Sequence, residues 1–599
     1  MPDVKRRMMV VLVAATICIA LLALRLLWIQ LASVSPWGTA SIARESVLQR
    51  VAGVRLDDGR GRIVDKNGNP LAGYPIRSVL LLPGALESLQ PEQRLTLARI
   101  LGVEEAGWSV AMGLLRHLPA WWRETPAGVP APISAEQERA IEALALPGVE
   151  IVDTVRRYSQ HQLAKHHIGF LAQQPSRLQA LYMDDVAGGR LRLSTPIGAS
   201  GLELAFDRFL HGKEADEILY FGSGYDRTEK RHRLQRSPPG NPYYPMRLVT
   251  TIDSSLQSKL EHIADNSGLK QGSFVVLDAR TGDVIAMVSR PDYDPLHVDP
   301  SEAAWRNRAL LALPPGSIMK SFITAVALEE GAVSLHETFT CDGTHDKYGL
   351  TCWKKEGHGE ITFEEAFAQS CNLVFAELSE RITPDVLERY GTSLGLIGTV
   401  GWSGMSALDG GPLRQFPEEE PSRIFSGDEG SKRDGSVLAQ TAIGQRDVRI
   451  TPLAAAAWAM TLLNGGLPSS PRAASSLQFA DGRPAERYAP HRAGGGRQLS
   501  AGTVAQVESM MRRVVTSGTA ERLRETQWPL AGKTGTAQAT DGGRPVVHQW
   551  MIGWGPADQP RYVAAVVAES RDPDSSHLGI ELFGAVMDVL ARQEIKERR

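Results

Sequence analysis

Residues 8–24 form an uninterrupted run of apolar and small side chains, and the run resumes for four residues after Arg25. At 1.5 Å per residue, about 20 such residues cross a bilayer core of roughly 30 Å. Three basic residues at positions 5–7 precede the run, so the positive-inside rule places the N-terminus in the cytoplasm. No later segment is as long and apolar. The sequence therefore predicts one membrane span, with most of the chain outside the cytoplasm.

A cleaved signal peptide is the alternative interpretation of the same run. The apolar core of a signal peptide is usually only about 7–15 residues long. The run in this chain is longer, and Arg25 is unlike a residue close to a cleavage site. We therefore predict a cytoplasmic tail over residues 1–7 and an uncleaved transmembrane anchor over residues 8–31.

The length and composition of the chain indicate a folded protein with several domains. At roughly 150 residues per domain, its 599 residues correspond to about four units. Hydrophobic residues make up 43% and charged residues 22%, which excludes wholesale disorder. With 65 basic and 68 acidic side chains the net charge is −3, so nothing in the charge balance indicates nucleic acid as a partner.

The four cysteines are too few for a disulfide-built scaffold. No CxxC pair and no HExxH occurs, so the common zinc signatures are absent and the sequence predicts no metal. Cys341 and Cys352 flank a short polar stretch that contains Gly343. Two interpretations stay open for this pair: a disulfide, as the oxidising compartment allows, or two unpaired buried thiols.

The chain has a turn-dense stretch at residues 236–242, which contains three prolines and a glycine and marks a domain boundary. Beyond residue 272, β-branched and apolar runs alternate with helical periodicity. The runs predict strands at 274–277, 284–288, 549–553 and 562–568, and helices at 317–328, 504–514 and 580–595. Residues 415–437 are polar and rich in Pro and Gly, which predicts a surface loop. Strands from both ends of this region around a helical middle predict an α+β domain, an antiparallel sheet with helices on its faces.

A candidate nucleophile opens the predicted helix at 317–328. Ser317 and Lys320 are three residues apart, which puts the hydroxyl and the amine on one helical face. A serine hydroxyl is a weak nucleophile until a neighbouring base accepts its proton, and a buried lysine with a lowered pKa can do so. The helix N-terminus adds positive dipole where negative charge develops. The SxxK pattern alone is short, and a surface helix explains it equally well.

Two further motifs follow in the same domain. Ser370-Cys371-Asn372 offers a second hydroxyl and an amide, and Lys533-Thr534-Gly535-Thr536 is typical of a strand. Gly535 would leave room for a peptide at the sheet edge. The ordered set SxxK, SxN and KTG is the signature of serine β-lactamases and penicillin-binding proteins. Each motif alone carries little weight, but the three in this order indicate an acyl-transfer site.

With these motifs the chain resembles a class B penicillin-binding protein, a membrane-anchored peptidoglycan DD-transpeptidase. The stretches at 60–72 and 201–212 resemble motifs of that family's non-catalytic pedestal, and the stretch at 251–257 resembles the start of its transpeptidase domain. The resemblance implies a pedestal (dimerisation-like) domain over residues 40–245 and a penicillin-binding, serine β-lactamase-like transpeptidase domain over 246–599. It covers the chain from the anchor to the C-terminus.

The resemblance also implies catalytic roles. Ser317 would attack the D-Ala-D-Ala carbonyl of a stem peptide and form an acyl-enzyme. Lys320 would take the serine proton, and Ser370 would relay a proton to the leaving amine. An amine from a second stem peptide would resolve the acyl-enzyme and create a cross-link. Neither a metal nor an organic cofactor is needed for this chemistry.

Substrate binding is implied for the other motif residues. Asn372 would bind the substrate amide, and Lys533 and Thr534 would hold its terminal carboxylate. Gly535 belongs to the same motif, and the backbone N–H groups of Thr536 and of the nucleophile would form the oxyanion hole. Cys371 stands where the family usually has an acidic residue, and its side chain is expected to point away from the cleft.

Partners and location follow from the same resemblance. The chain would lie in a bacterial plasma (inner) membrane with its catalytic domain in the periplasm or outside the cell. It would act on peptidoglycan stem peptides, be acylated by β-lactam antibiotics, and pair with a polytopic membrane glycan polymerase. The stretch at 351–359 resembles the elongation (cell-shape) branch more than the division branch.

Four other functions compete with this one. A β-lactamase needs a water-activating group and has no use for the 200-odd residues before the boundary. A bifunctional class A enzyme would carry glycosyltransferase motifs before residue 245, and none is found. A β-lactam sensor would have several membrane spans. A non-catalytic scaffold would have a degenerate site, whereas the motif residues here are intact.

Overall fold

The computed structural model describes residues 2–31, 51–82, 85–103, 119–122, 129–188, 191–212, 214–221, 233–238, 240–345, 347–427, 429–492 and 499–597. The first part of the predicted pedestal, residues 40–50, lies outside these ranges. The chain forms two compact units built from interleaved segments. The first unit comprises Met1–Gly59, Pro75–Arg156 and Glu214–Asn241, and the second comprises Arg60–Tyr74, Arg157–Lys213 and Pro242–Arg599.

The N-terminal run is a single helix, α1 (Pro2–Leu31). Its segment Val4–Leu27 is long and apolar enough to cross a membrane, and no other helix in the described ranges is. Its apolar side chains are exposed rather than packed against the protein. The helix therefore fits the predicted single-pass membrane anchor.

Two small three-stranded sheets organise the part of the first unit that the structure describes beyond α1. Asp216–Phe221 is the central strand of one sheet, between Val51–Asp57 and Arg233–Ser237. The other sheet places Tyr74–Leu81 between Ala120–Trp121 and Val149–Arg156. Among the described residues of this unit lie three further helices: Ala85–Ser88, Pro91–Leu101 and Ala135–Leu144.

The second unit contains a sheet whose strands come from distant parts of the sequence. Arg247–Thr250 pairs in parallel with Arg62–Val64 and antiparallel with Ala474–Gln478. Pro70–Ala72 and Pro484–Arg487 lie at the two ends of this sheet. Residues on both sides of the predicted boundary at 245/246 thus share one sheet and one hydrophobic core.

The central sheet of the second unit has five antiparallel strands: β1 (Gly272–Asp278), β2 (Val284–Arg290), β3 (Ala531–Asp541), β4 (Arg544–Gly555) and β5 (Tyr562–Arg571). Their order across the sheet is β2-β1-β5-β4-β3, which leaves β3 at one end. The hairpin register pairs Phe274 with Val288, and β3 pairs with β4 from Ala531 opposite Trp554. The predicted antiparallel sheet of an α+β fold is confirmed.

Six helices of the second unit pack around the central sheet or carry motif residues: α2 (Ser254–Asn266), α3 (Met319–Glu329), α4 (Asn372–Leu378), α5 (Pro452–Leu463), α6 (Ala501–Ser517) and α7 (Leu578–Glu597). Helices α2 and α7 pack on each other. Helix α2 also packs on β2, and α7 packs on β4 and β5. Helix α5, which is almost entirely buried, packs on β1, β4 and β5, and α6 packs on α3 and β3. Helices thus cover the sheet in two groups.

Shorter elements fill the rest of the second unit. Its other helices are Lys165–Ile168, Pro175–Leu181, Met183–Ala187, Gly201–Ala205, Asp207–Leu210, Phe363–Ala368, Pro384–Ser393, Glu429–Lys432 and Gly435–Ala442. Two-residue to four-residue strands pair as Leu171–Ala172 with Ile197–Gly198, Thr338–Cys341 with Gly359–Thr362, Thr344–His345 with Leu350–Thr351, Ser403–Met405 with Pro412–Arg414, and Ser469–Ser470 with His491–Arg492.

One predicted loop differs from the structure. Residues 415–437 contain the short helix Glu429–Lys432 and the start of Gly435–Ala442. Asp434 caps the second helix, because its carboxylate accepts hydrogen bonds from the N–H groups of Ser436 and Val437. An Asp ahead of an apolar run is a helix-start signal, and the abundance of Gly and charge nearby obscured it.

Candidate active site

The predicted nucleophile lies just before α3 rather than within it. Residues Gly316–Ile318 form a 3₁₀ turn, and the α-helix begins at Met319. Gly316 has φ +58°, and a Cβ at this position would lie 2.5 Å from the carbonyl oxygen of Thr536. Only glycine fits such a close approach of two backbones. The turn presents Ser317, half-buried, on the wall of a cleft.

Lys320 is fully buried in the first turn of α3. Its Nζ donates to the carbonyl oxygen of Ser370 at 2.7 Å and to Asn372 Oδ1 at 2.8 Å, and lies 3.4 Å from Ser370 Oγ. Burial lowers the pKa of Lys320 to about 7, against a smaller opposing effect of two neighbouring thiols. Near neutral pH a substantial fraction of this amine is therefore unprotonated and able to accept a proton.

The second motif sits at the start of α4. Ser370 adopts a left-handed backbone, φ +55°, which is rare outside glycine and concentrates at functional sites. Asn372 begins the helix, accepts from Lys320 through Oδ1, and donates from Nδ2 to the Thr351 carbonyl at 3.1 Å. The motif thereby gives the cleft a hydroxyl and an amide held by neighbouring groups.

Lys533, on β3, completes a chain of three polar side chains. It is fully buried, and its Nζ donates to Ser370 Oγ at 2.9 Å and to the Thr534 carbonyl at 3.1 Å. Burial, together with the charge of Lys320, holds the pKa of Lys533 well below its ordinary value. Ser370 Oγ thus lies within reach of two amines whose protons are easily lost.

The remainder of the third motif lines the cleft along β3. The hydroxyl of Thr534 lies 2.6 Å from that of Thr519, and both residues face the cleft with Thr536. A Cβ on Gly535 would lie 2.6 Å from the Pro315 carbonyl oxygen. The sequence predicts that Gly535 leaves room for a bound peptide. In the structure, the absence of a side chain instead lets β3 pack against the turn that carries the nucleophile.

The cleft has a volume of about 660 Å³. Five of the eight predicted site residues line this cleft. Lys320 and Lys533 are instead buried behind Ser370. Gly535 packs against the nucleophile turn. Sequence reasoning missed several other lining residues, among them Trp353, Gln445, Thr519, Arg522, Gln538 and His577. Gln538 lies on β3 just beyond the third motif, and the others belong to loops and a 3₁₀ turn that no short motif identifies, although Trp353 lies in the stretch at 351–359.

A cluster of thiols and one imidazole lies beside the second motif. Cys341, Cys352 and Cys371 are free and buried. Of the two interpretations of Cys341 and Cys352, the structure therefore agrees with a pair of unpaired buried thiols and not with a disulfide. Cys341 Sγ and Cys352 Sγ each lie 3.5 Å from His358 Nδ1, and Cys352 Sγ lies 4.0 Å from Cys371 Sγ. The Cys371 side chain points into this cluster, away from the cleft lining.

These four residues could hold a metal ion. Their ligand atoms lie within 4.8 Å of one another. Three thiols and an imidazole form a closed Cys₃His set, which suits structural Zn²⁺ in tetrahedral coordination. Such an ion would fix the loop at 341–358 against Cys371, which sits between Ser370 and Asn372. The sequence alone predicts no metal, because the four ligands are widely and irregularly spaced along the chain.

We expect purified protein to hold about one zinc ion per chain, as Cys₃His sites do. Cys341→Ser should lose the ion and lower the melting temperature, because a metal that binds only the folded state stabilises it. Elemental analysis and thermal unfolding measure both effects, with Cys18→Ser, in the membrane helix, as the control. Equal metal content in Cys341→Ser and wild type would contradict the assignment.

Comparison with known proteins agrees with this architecture. Residues 272–588 match the family described as the penicillin binding protein transpeptidase domain, and residues 56–244 match the penicillin-binding protein dimerisation domain. One apolar helix, a dimerisation domain and a transpeptidase domain define the class B architecture. The chain belongs to the penicillin-binding protein transpeptidase family.

Three similar proteins illustrate the relationship. Stage V sporulation protein D of Bacillus subtilis is 27% identical over 95% of this chain and 82% of its own length. The peptidoglycan D,D-transpeptidase PbpA of Mycolicibacterium smegmatis is 30% identical over 62% of this chain and 74% of its own. The peptidoglycan D,D-transpeptidase MrdA of Acinetobacter baumannii is 26% identical over 92% and 83%, respectively.

Proposed function

We propose that this protein is a serine-type peptidoglycan D,D-transpeptidase that cross-links stem peptides through an acyl-enzyme on Ser317. The observation that carries the proposal is the chain of contacts from Lys320 through Ser370 to Lys533, beside the cleft that Ser317 lines. In this proposal the chain of contacts provides the base and the proton relay that a serine nucleophile requires. Family membership and two relatives named as peptidoglycan D,D-transpeptidases support the same reaction.

Acylation begins when Ser317 Oγ attacks the carbonyl carbon of the penultimate D-alanine. Lys320 accepts the hydroxyl proton, and the backbone N–H groups of Ser317 and Thr536 donate to the oxyanion. Collapse of the tetrahedral intermediate breaks the peptide bond, and Ser370 passes a proton to the departing D-alanine amine. The acceptor amine then attacks the ester, loses a proton through the same groups, and leaves Ser317 as the free hydroxyl.

Substrate binding falls to the remaining motif residues. We assign the substrate backbone to the Asn372 amide and the terminal carboxylate to the Thr534 hydroxyl, both of which line the cleft. Lys533 adds positive charge near that carboxylate, and an arriving anion would favour the protonated form of its amine. Gly535 keeps β3 close to the nucleophile turn, so that the Thr536 N–H and Ser317 act on the same carbonyl.

The two matched ranges, 56–244 and 272–588, lie within the predicted pedestal of 40–245 and transpeptidase domain of 246–599, and we keep that functional division. Basic residues at 5–7, near the start of α1, favour a cytoplasmic N-terminus, with both domains on the outer face of a bacterial plasma membrane. The stretch at 351–359 favours the elongation (cell-shape) type within class B.

A polytopic membrane glycan polymerase is the proposed partner, because cross-linking joins glycan strands but does not make them. Arg25 in the outer part of α1 supports a contact within the membrane, since a cation facing lipid is costly. The Ser317→Ala protein should co-purify with such a polymerase and stimulate glycan synthesis. Failure of the anchored pedestal to bind or stimulate any such polymerase from the same cell would refute the pairing.

Fluorescent penicillin tests the catalytic proposal. Because a β-lactam acylates the same hydroxyl, wild-type protein should gain one covalent label per chain and Ser317→Ala should gain none. Ser321→Ala changes a neighbouring hydroxyl that is buried and bonded to the Ile318 carbonyl, and should label as wild type does. Undiminished labelling of Ser317→Ala would overturn the assignment.

A further inference from the structure

The outer edge of β3 is covered at one place by a side chain. Gln445 Nε2 donates to the Thr536 carbonyl oxygen at 3.4 Å, and Gln445 Oε1 accepts from the Gln538 N–H at 3.3 Å. Both backbone groups lie just beyond the Thr536 N–H that the proposed function assigns to the oxyanion hole. Gln445, Thr536 and Gln538 all line the cleft.

The loop that carries Gln445 is held against the nucleophile turn. The Gly316 N–H donates to the Gly444 carbonyl at 2.9 Å. Gly444 has φ +74°, and a Cβ there would lie 2.0 Å from the Gly316 carbonyl oxygen. Arg446, on the other side of Gln445, has φ +55°, a strained value for a residue with a side chain. Two unusual backbone conformations thus direct the carboxamide to the edge of β3.

A primary carboxamide has the same donor and acceptor as a peptide unit. A peptide that adds to a sheet edge forms its main-chain hydrogen bonds with just such outward N–H and C=O groups. An extended stem peptide acylating Ser317 next to Thr536 would therefore meet the Thr536 carbonyl and the Gln538 N–H. It can engage them only after the Gln445 carboxamide has left.

We propose that Gln445 is a displaceable clasp on the edge of β3 and determines specificity by competing with the donor stem peptide for the backbone of Thr536 and Gln538. This inference rests on the proposed transpeptidase function. A ligand with an extended peptide backbone replaces both hydrogen bonds that it breaks. A ligand without one leaves the two backbone groups unpaired when Gln445 moves, so the clasp selects for peptides.

The test compares two variants with different chemistry. Gln445→Ala removes the clasp. Gln445→Glu keeps the side-chain length but replaces the donor facing the Thr536 carbonyl with an acceptor, so the clasp cannot close. In both variants, the KM for D-alanine release from a soluble stem pentapeptide should fall about 3- to 10-fold, as expected for two weak neutral hydrogen bonds, while kcat stays unchanged. Gln559→Ala, on a distant exposed turn, serves as the matched control.

Hydrogen exchange gives a second readout. The Gln538 amide should exchange faster in both variants than in wild type, and adding the pentapeptide should restore its protection. An unchanged or raised KM in both variants, with wild-type exchange at Gln538, would overturn the clasp. If wild-type protein neither releases D-alanine nor takes up penicillin at Ser317, the proposed function itself fails, which is a different outcome from active variants with an unchanged KM.

Discussion

Lys320→Ala is expected to slow acylation of Ser317 by about 10²–10⁴-fold, the usual cost of removing a general base. The Lys320 amine is fully buried and contacts both functional residues of the second motif. The second-order rate constant for labelling by fluorescent penicillin measures the effect. Lys259→Ala, which removes an exposed amine from α2, is the control and should acylate at the wild-type rate.

The pH dependence distinguishes a base from a merely structural lysine. Because burial lowers the pKa of Lys320 to about 7, the amine is protonated below that pH and cannot accept the Ser317 proton. The acylation rate of wild-type protein should therefore rise about tenfold per pH unit in acid and level off above pH 7 or so. The residual rate of Lys320→Ala should lack this step. A wild-type rate that is flat across the same range would contradict the role of base.

Arg60→Ala is expected to lower the free energy of unfolding by about 3–5 kcal/mol, because the buried carboxylates of Glu203 and Asp207 both lose a cation, although Glu203 keeps its ion pair with Arg157. Arg60 Nη2 lies 2.7 Å from Glu203 Oε2 and 2.8 Å from Asp207 Oδ1, and all three side chains are buried. Although burial opposes the charge of Arg60, the two carboxylates raise its pKa further above the ordinary value. The network ties residues 60–74 to residues 157–213 within the second unit.

Urea unfolding followed by tryptophan fluorescence measures that loss. Arg389→Ala, which removes an exposed ion pair with Glu330, is the matched control and should cost less than about 1 kcal/mol. Neutralising Asp207 as well, in Arg60→Met with Asp207→Asn, should recover part of the stability, because that buried side chain then carries no charge and Glu203 keeps its ion pair with Arg157. Similar losses for Arg60→Ala and Arg389→Ala would refute the network's importance.

The five-stranded sheet and its helices could be predicted because each element has a local signal. The hairpin of β1 and β2, the strands β4 and β5 and the terminal helix α7 all follow from periodicity and turn residues, and their predicted positions agree with the structure to within a few residues. The central helix was also predicted, but its first residues form a 3₁₀ turn. Gly316 sets that turn with its left-handed backbone. Its conformation depends on a close backbone contact with Thr536, more than 200 residues away in the sequence.

Features that depend on long-range packing could not be predicted. The mixed sheet that joins 62–64, 247–250 and 474–478 needs three segments with no common motif. The Cys₃His cluster draws on a hairpin, a loop and the start of α4, so its spacing matches no zinc signature. The Gln445 clasp depends on left-handed backbone conformations at Gly444 and Arg446, which leave no trace in the pattern of residue types.

Mass spectrometry of the protein after reaction with a stem pentapeptide or benzylpenicillin tests the central claim most directly. The intact protein should gain the mass of one acyl group, and peptide mapping should place that group on Ser317. Ser317→Ala should gain no mass under the same conditions. An acyl group mapped to any other residue, or retained in Ser317→Ala, would contradict the acyl-enzyme mechanism derived for this cleft.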